Sequence, residues 1–185
     1  MGKDCDGYDD LIFGVRRSSR YHTKRRQYFE NMSRFIKIVT AFTGIGTFAT
    51  MLSETIGLYW TLAFSSFVAL FSTIDLVVGT SEMARLHSDL ARRFITLEKQ
   101  LVKAGNEIEE SALNDFIAQR LEIEIEEPPK LGILDIICHN ELVKAMGYGD
   151  DEQVKLNFFQ RRFSHYCDIG LHHACKNNQA QTASE

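Results

Sequence analysis

Two apolar stretches lie back to back in the first half of this chain, separated by one acidic residue and bordered by basic sequence on both outer sides. The first runs from Ile38 to Ser53 (IVTAFTGIGTFATMLS) and the second from Thr55 to Ile74 (TIGLYWTLAFSSFVALFSTI), with Glu54 between them. A membrane-crossing helix needs about 20 mainly apolar residues to cover roughly 30 Å of hydrocarbon. The second stretch has that length. The first is shorter and rich in Thr and Gly, and spans if Lys37 snorkels towards the headgroups. The connection at Ser53-Glu54-Thr55 leaves room only for a tight turn. The expected fold class is therefore all-α: a membrane hairpin of two transmembrane helices, with a long basic N-terminal helix and a cytoplasmic helical region.

Charge sets the topology. The net charge of −4 conceals a basic segment with Arg16, Arg17, Arg20, Lys24, Arg25, Arg26, Arg34 and Lys37 against one acid, Glu30. Arg85, Arg92, Arg93, Lys99 and Lys103 follow the second stretch. Cations thus flank both outer ends while the turn carries only Glu54, so both termini are expected in the cytoplasm and the protein in the inner membrane. Nothing in this balance points to nucleic acid. MGKDCDGYDD lacks the basic-then-apolar pattern of a signal peptide, and Asp6 stands where a myristoylation motif at Gly2 requires Ser or Thr. Cys5, Cys138, Cys167 and Cys175 would then meet a reducing compartment, where disulfides are not expected.

The expected organisation is a disordered 1–9, a basic juxtamembrane helix over 10–37, the hairpin over 38–80, a cytoplasmic helical region over 81–167, and a polar tail over 168–185. The basic helix is either an interfacial element on anionic lipid or a solvated stem that fixes topology. Met83, Leu86, Leu90, Phe94, Leu97 and Leu101 recur at alternating three- and four-residue spacing and end before Gly105-Asn106. That pattern suits an oligomer seam or the core-facing side of a small bundle. Ser111 to Glu127 is a helix candidate, although LEIEIE also alternates like a short strand, and Pro128-Pro129 ends it. Residues 131–146 and 152–167 are two further helix candidates.

Polar residues inside the apolar stretches are the candidate site. Thr40, Thr43, Thr47 and Thr50 share one helical side, and Thr61, Ser65 and Ser72 form a looser stripe on the second stretch. Hydroxyls at this depth either line a wet pore or permit close helix crossings, since small residues serve both ends. Asp75 falls level with Lys37 once the hairpin is folded, and the expected arrangement is a Lys37–Asp75 charge pair, with gating or ion selection as the alternative. His165, Cys167, His172, His173 and Cys175 match no common zinc spacing, and Cys138 sits at core spacing, so no metal and no cofactor are expected. The signatures of phosphate loops, dinucleotide sites, serine hydrolases and zinc proteases are missing, which argues against an enzyme.

Three segments carry a likeness: LIFGVRRSSRYHTKRRQYFENM, STIDLVVGTSEMARLHSDLARRFITLE and EIEEPPKLGILDIICHNELVKAMGY, within about residues 11–165. In their order and texture they resemble the SLATT family of bacterial proteins with two transmembrane helices and a cytoplasmic helical region. The resemblance implies a pore-forming effector of conflict or antiphage systems, active as a homo-oligomer in the lipid bilayer and triggered by an upstream sensor, often through a nucleotide signal. No nucleotide-sensing or nucleotide-making segment accompanies these parts. The expected trigger therefore acts through a partner protein or directly on the cytoplasmic helices. Two alternatives stand beside this expectation: a membrane-anchored scaffold without a pore, and a soluble bundle with 38–53 and 55–74 as its buried central hairpin.

Overall fold

The computed structural model describes residues 3–52, 58–149 and 152–166. All its regular elements are helices: α1 (Lys3–Leu52), α2 (Leu58–Val78), α3 (Thr80–Ala104), α4 (Glu110–Glu124), α5 (Gly132–Met146) and α6 (Phe158–Phe163). The hairpin turn at Ser53-Glu54-Thr55, the tail over 168–185, and Cys167, His172, His173 and Cys175 lie outside the described residues. The chain divides into two compact units, one of Met1–Lys24 with Ser88–Glu185 and one of Arg25–His87.

Helix α1 starts earlier than expected, inside the stretch 1–9 read as disordered. Tyr8 explains this. Its ring is buried and its hydroxyl donates to the Leu101 carbonyl at 3.1 Å, so the first turns are held by tertiary contact. No proline interrupts α1, and it runs on through the first apolar stretch.

In the unit of Met1–Lys24 and Ser88–Glu185, helices α1, α3 and α5 contribute the core. Val15, Phe94, Leu101, Ile133, Cys138 and Val143 are fully buried there. Leu90, Phe94, Leu97 and Leu101 are the later part of the expected oligomer seam, and all four are buried within the single chain. From Leu90 onward these residues are the core-facing side of a bundle helix. Helix α3 ends where Gly105 takes the left-handed conformation (φ +80°) and donates to the Leu101 carbonyl.

The period-two LEIEIE run closes helix α4 instead of forming a strand. A lone strand leaves its backbone groups without partners, whereas a helix satisfies them locally. Ile123 points inward and Ile125 outward, and the chain leaves the helix before Pro128. The helix expected over 152–167 shrinks to α6. Asn140 on α5 accepts from the Val154 N–H at 2.9 Å and donates to the Val154 carbonyl at 2.7 Å. Both backbone groups that a helix needs from Val154 are thereby taken. Asn157 then caps α6 in a reciprocal capping box with Gln160.

In the unit of Arg25–His87, α1 and α2 lie side by side and antiparallel. The Phe35 and Phe71 rings meet at 6.4 Å, the Phe64 ring lies against Gly46, and Thr61 donates to Thr50 at 2.9 Å. Helix α2 has 21 residues, none buried, and by length and apolarity it is the one helix among the described residues able to cross a membrane. The second stretch is thus not the buried centre of this single chain.

Candidate functional site

The exposed surface of the Arg25–His87 unit carries the first candidate. On α1, Phe35, Ile38, Phe42, Ile45, Phe48 and Met51 face outward at three- and four-residue spacing; on α2, Leu62, Phe67, Leu70, Leu76 and Val77 are exposed as well. A water-soluble monomer rarely shows a contiguous apolar patch above a few hundred Å². Tyr59 and Trp60 are exposed at one end of this belt, and exposed Arg34, Lys37 and Arg85 stand at the other.

Beyond Thr40, the threonine stripe is satisfied from within. Thr43 donates to the Val39 carbonyl at 2.6 Å, Thr47 to the Thr43 carbonyl at 2.9 Å, and Thr50 to the Thr47 carbonyl at 2.8 Å. Thr50 is buried and also accepts from Thr61, while Thr40, Thr43, Thr47 and Thr61 are half-buried. The bonded hydroxyls need no water. Ser65 and Ser72 are exposed on α2, beside two hydroxyls the sequence reading passed over. These are Ser66 and Thr73, which donate to the Leu62 and Ala69 carbonyls. Their four-residue backbone bonds are a local pattern, legible once the helix is assigned.

Asp75 and Lys37 form no ion pair in the described residues. The Asp75 carboxylate accepts instead from the Thr80 hydroxyl, across the junction where Gly79 (φ +59°) ends α2. Gly79 N–H donates to the Asp75 carbonyl, and Met83 N–H to the Gly79 carbonyl, so backbone bonds bracket the turn into α3. Only glycine enters that conformation without steric cost. The side chain that sequence placed opposite a lysine is thus a latch on its own turn. Replacing Asp75 by Asn keeps an accepting oxygen, and thermal stability in detergent should fall by less than about 1 kcal/mol; Asp75→Ala should cost about 0.5–1.5 kcal/mol. Unchanged stability of the Ala variant with altered ion leakage would assign the carboxylate to conduction.

Met83 and Leu86, the first two residues of the expected seam, are half-buried in the same unit. Also in it, Phe29 stacks on buried His87 at 5.6 Å, and the Arg25 guanidinium lies 4.6 Å from the Phe29 ring centre.

The other unit holds a buried polar cluster with no motif in the sequence. His22 is fully buried, stacks on Phe94 at 5.6 Å, and donates to Glu127 Oε1 at 2.9 Å; Lys130 reaches Glu127 Oε2 at 2.7 Å. Tyr21 accepts the Leu131 N–H at 2.9 Å. Together these bonds pin the Pro128-Pro129 segment to α1. Burial pushes the Glu127 carboxyl up, but donation from His22 and Lys130 outweighs it and holds the group below the ordinary value. A lowered carboxyl pKa adds stability above the unfolded value, and that stability is lost as pH falls through the folded one. Glu127→Gln should therefore cost about 1–3 kcal/mol at neutral pH and flatten the acid limb of the stability curve, as read by denaturant unfolding from pH 7 down to about pH 3. An acid limb as steep as wild type would place the titration elsewhere.

Cys138 packs against Tyr21 and Leu134, and burial pushes its thiol up to about 12. It is a core residue with no thiolate to offer near neutral pH. The clefts on this unit are open. One of about 380 Å³ is lined by Arg92, Arg93, Gln119 and Glu126, and there Arg93 is bound to both Asp89 and Glu126.

No family model matches the chain, and neither a curated protein nor a solved structure matches it.

Proposed function

We propose that this chain is a non-enzymatic membrane effector. Its antiparallel α1–α2 pair inserts in the bacterial inner membrane as a two-span hairpin with both termini cytoplasmic, and several copies assemble into a pore that permeabilises the membrane. The observation that carries the reading is the apolar belt: α2 is long enough to span and none of its residues is buried. Tyr59 and Trp60 at one end suit the membrane–water interface, and Arg34, Lys37 and Arg85 at the other suit the cytoplasmic leaflet. The likeness to the SLATT family in layout supports the same reading and adds antiphage or conflict defence, with a sensor or trigger protein as partner.

Two helices enclose no lumen, so conduction needs a homo-oligomer. Thr43, Thr47, Thr50 and Thr61 bond within the α1–α2 pair or to their own helix, which leaves Thr40, Ser65 and Ser72 as the better pore-lining candidates. A second reading, a membrane-anchored scaffold without a pore, draws on that same internal satisfaction of the threonines. Dye or ion leakage from cells expressing the full chain separates the two. Ser65→Leu combined with Ser72→Leu should dry the path and abolish leakage while the protein stays in the membrane fraction. Leakage unchanged in that variant removes the serines from the mechanism. If the wild-type protein causes no leakage even with its trigger present, the scaffold reading stands in place of the pore.

A further inference from the structure

Helix α6 and the turn after it present a surface that neither the core nor the candidate pore uses. Phe158, Phe159, Phe163 and Tyr166 are all exposed, Phe158 at 76%, and Arg161 and Arg162 are exposed among them. Phe158 and Phe159 meet edge to face at 5.9 Å, and Phe163 and Tyr166 at 6.5 Å, so the rings form two small clusters. The segment is seated on the fold. Gln160 and Ser164 are buried beneath it, the Gln160 amide oxygen accepts from the Asn157 N–H at 2.9 Å, and Asn140 clamps the approach at Val154. Arg161 and Arg162 make no ion pair among the described residues.

We infer that this aromatic–arginine surface docks on the headgroup region of an anionic phospholipid bilayer, as a second membrane contact besides the α1–α2 pair. Aromatic rings with polar neighbours favour the depth between headgroup and acyl chain, and guanidinium groups pair with lipid phosphates in a forked geometry. Lys155, also exposed, adds a third cation just before the helix. Charge complementarity selects this occupant. The stretch from 107 to 127 on the same unit is strongly acidic, which repels the extended phosphate chain of a nucleic acid, and three cations supply too few backbone contacts for one. A leaflet needs only a local match. Because this unit is covalently joined to α2, a bilayer that holds α2 is present at high effective concentration, and a weak contact suffices.

The inference rests on the reading of α2 as a membrane span, and two reporters keep the two claims apart. Full-length protein is reconstituted in phosphatidylcholine vesicles, or in an equal mixture with phosphatidylglycerol, each containing lipid brominated high on the acyl chain. Trp60 alone reports on α2 in the wild-type chain; Phe159→Trp in a Trp60→Phe background reports on the patch. The indole introduced at Phe159 should be quenched by brominated lipid and shielded from acrylamide, more strongly with phosphatidylglycerol. Arg161→Gln with Arg162→Gln should weaken this local partition by roughly 30-fold, at about 1 kcal/mol per basic residue near the surface. Trp60 quenched while the patch indole stays open to acrylamide overturns the docking and leaves the span intact. A patch indole shielded but not quenched assigns the surface to a protein and also overturns it. If neither indole is quenched, the span itself fails and the inference with it.

Discussion

Leu70→Lys should move the protein out of the washed membrane fraction. Leu70 lies near the middle of α2 with 54% of its surface exposed. On insertion scales a central leucine contributes about −0.3 to −0.6 kcal/mol and a central lysine costs about 2.5–3.5 kcal/mol. The exchange thus shifts the insertion equilibrium by about 3–4 kcal/mol, roughly two to three orders of magnitude. Ile95→Lys is the matched control, since Ile95 is 51% exposed but sits on the amphipathic helix α3. A surface change of that kind stays within about 0.5 kcal/mol, so its fractionation should follow wild type. The two variants differ little in exposure and chemistry. Equal partition of both, or wild-type protein in the soluble fraction, would show that water and not lipid surrounds α2.

Phe94→Ala should produce the largest loss of folding stability. Phe94 is fully buried and lies parallel to the His22 ring at 5.6 Å, beside the bond from His22 to Glu127. Truncating a buried phenylalanine to alanine costs about 3–5 kcal/mol, because contacts are lost and the cavity closes only in part. That is a large share of the 5–15 kcal/mol that holds a typical domain folded. Amide exchange in detergent should accelerate by roughly two to four orders of magnitude over 88–104, while α2 amides keep their protection. The same substitution tests the seam. If Phe94 faced a second copy, Phe94→Ala would dissociate the oligomer and leave exchange within one chain nearly unchanged.

Periodicity and composition made much of this protein legible. Helical spacing and the absence of proline located α1, α3, α4 and α5, Gly105 marked the end of α3, and the length and apolarity of 55–74 marked the helix able to cross a membrane. These are properties of consecutive residues, so the sequence states them directly. The all-α class follows from the same local signals.

Contacts between distant residues decided the rest. Period alone could not say whether Leu90, Phe94, Leu97 and Leu101 face a second chain or their own, because any apolar partner produces the same spacing. The fold answers with α1, where Tyr8 meets Leu101 and His22 meets Phe94. Asp75 read as a partner for Lys37 because depth was the only available coordinate; the turn at Gly79 brought Thr80 to it instead. His22 and Glu127 are 105 positions apart, and no spacing rule joins them. Asn140 stopped a helix at Val154 by taking both of its backbone groups, a clamp that belongs to neither segment alone. Local sequence determined which segments are helical and which are greasy, since backbone bonding and burial preference act over a few residues. Which apolar faces were consumed inside the chain, and which were left bare on α2 and α6, was decided only when the helices packed.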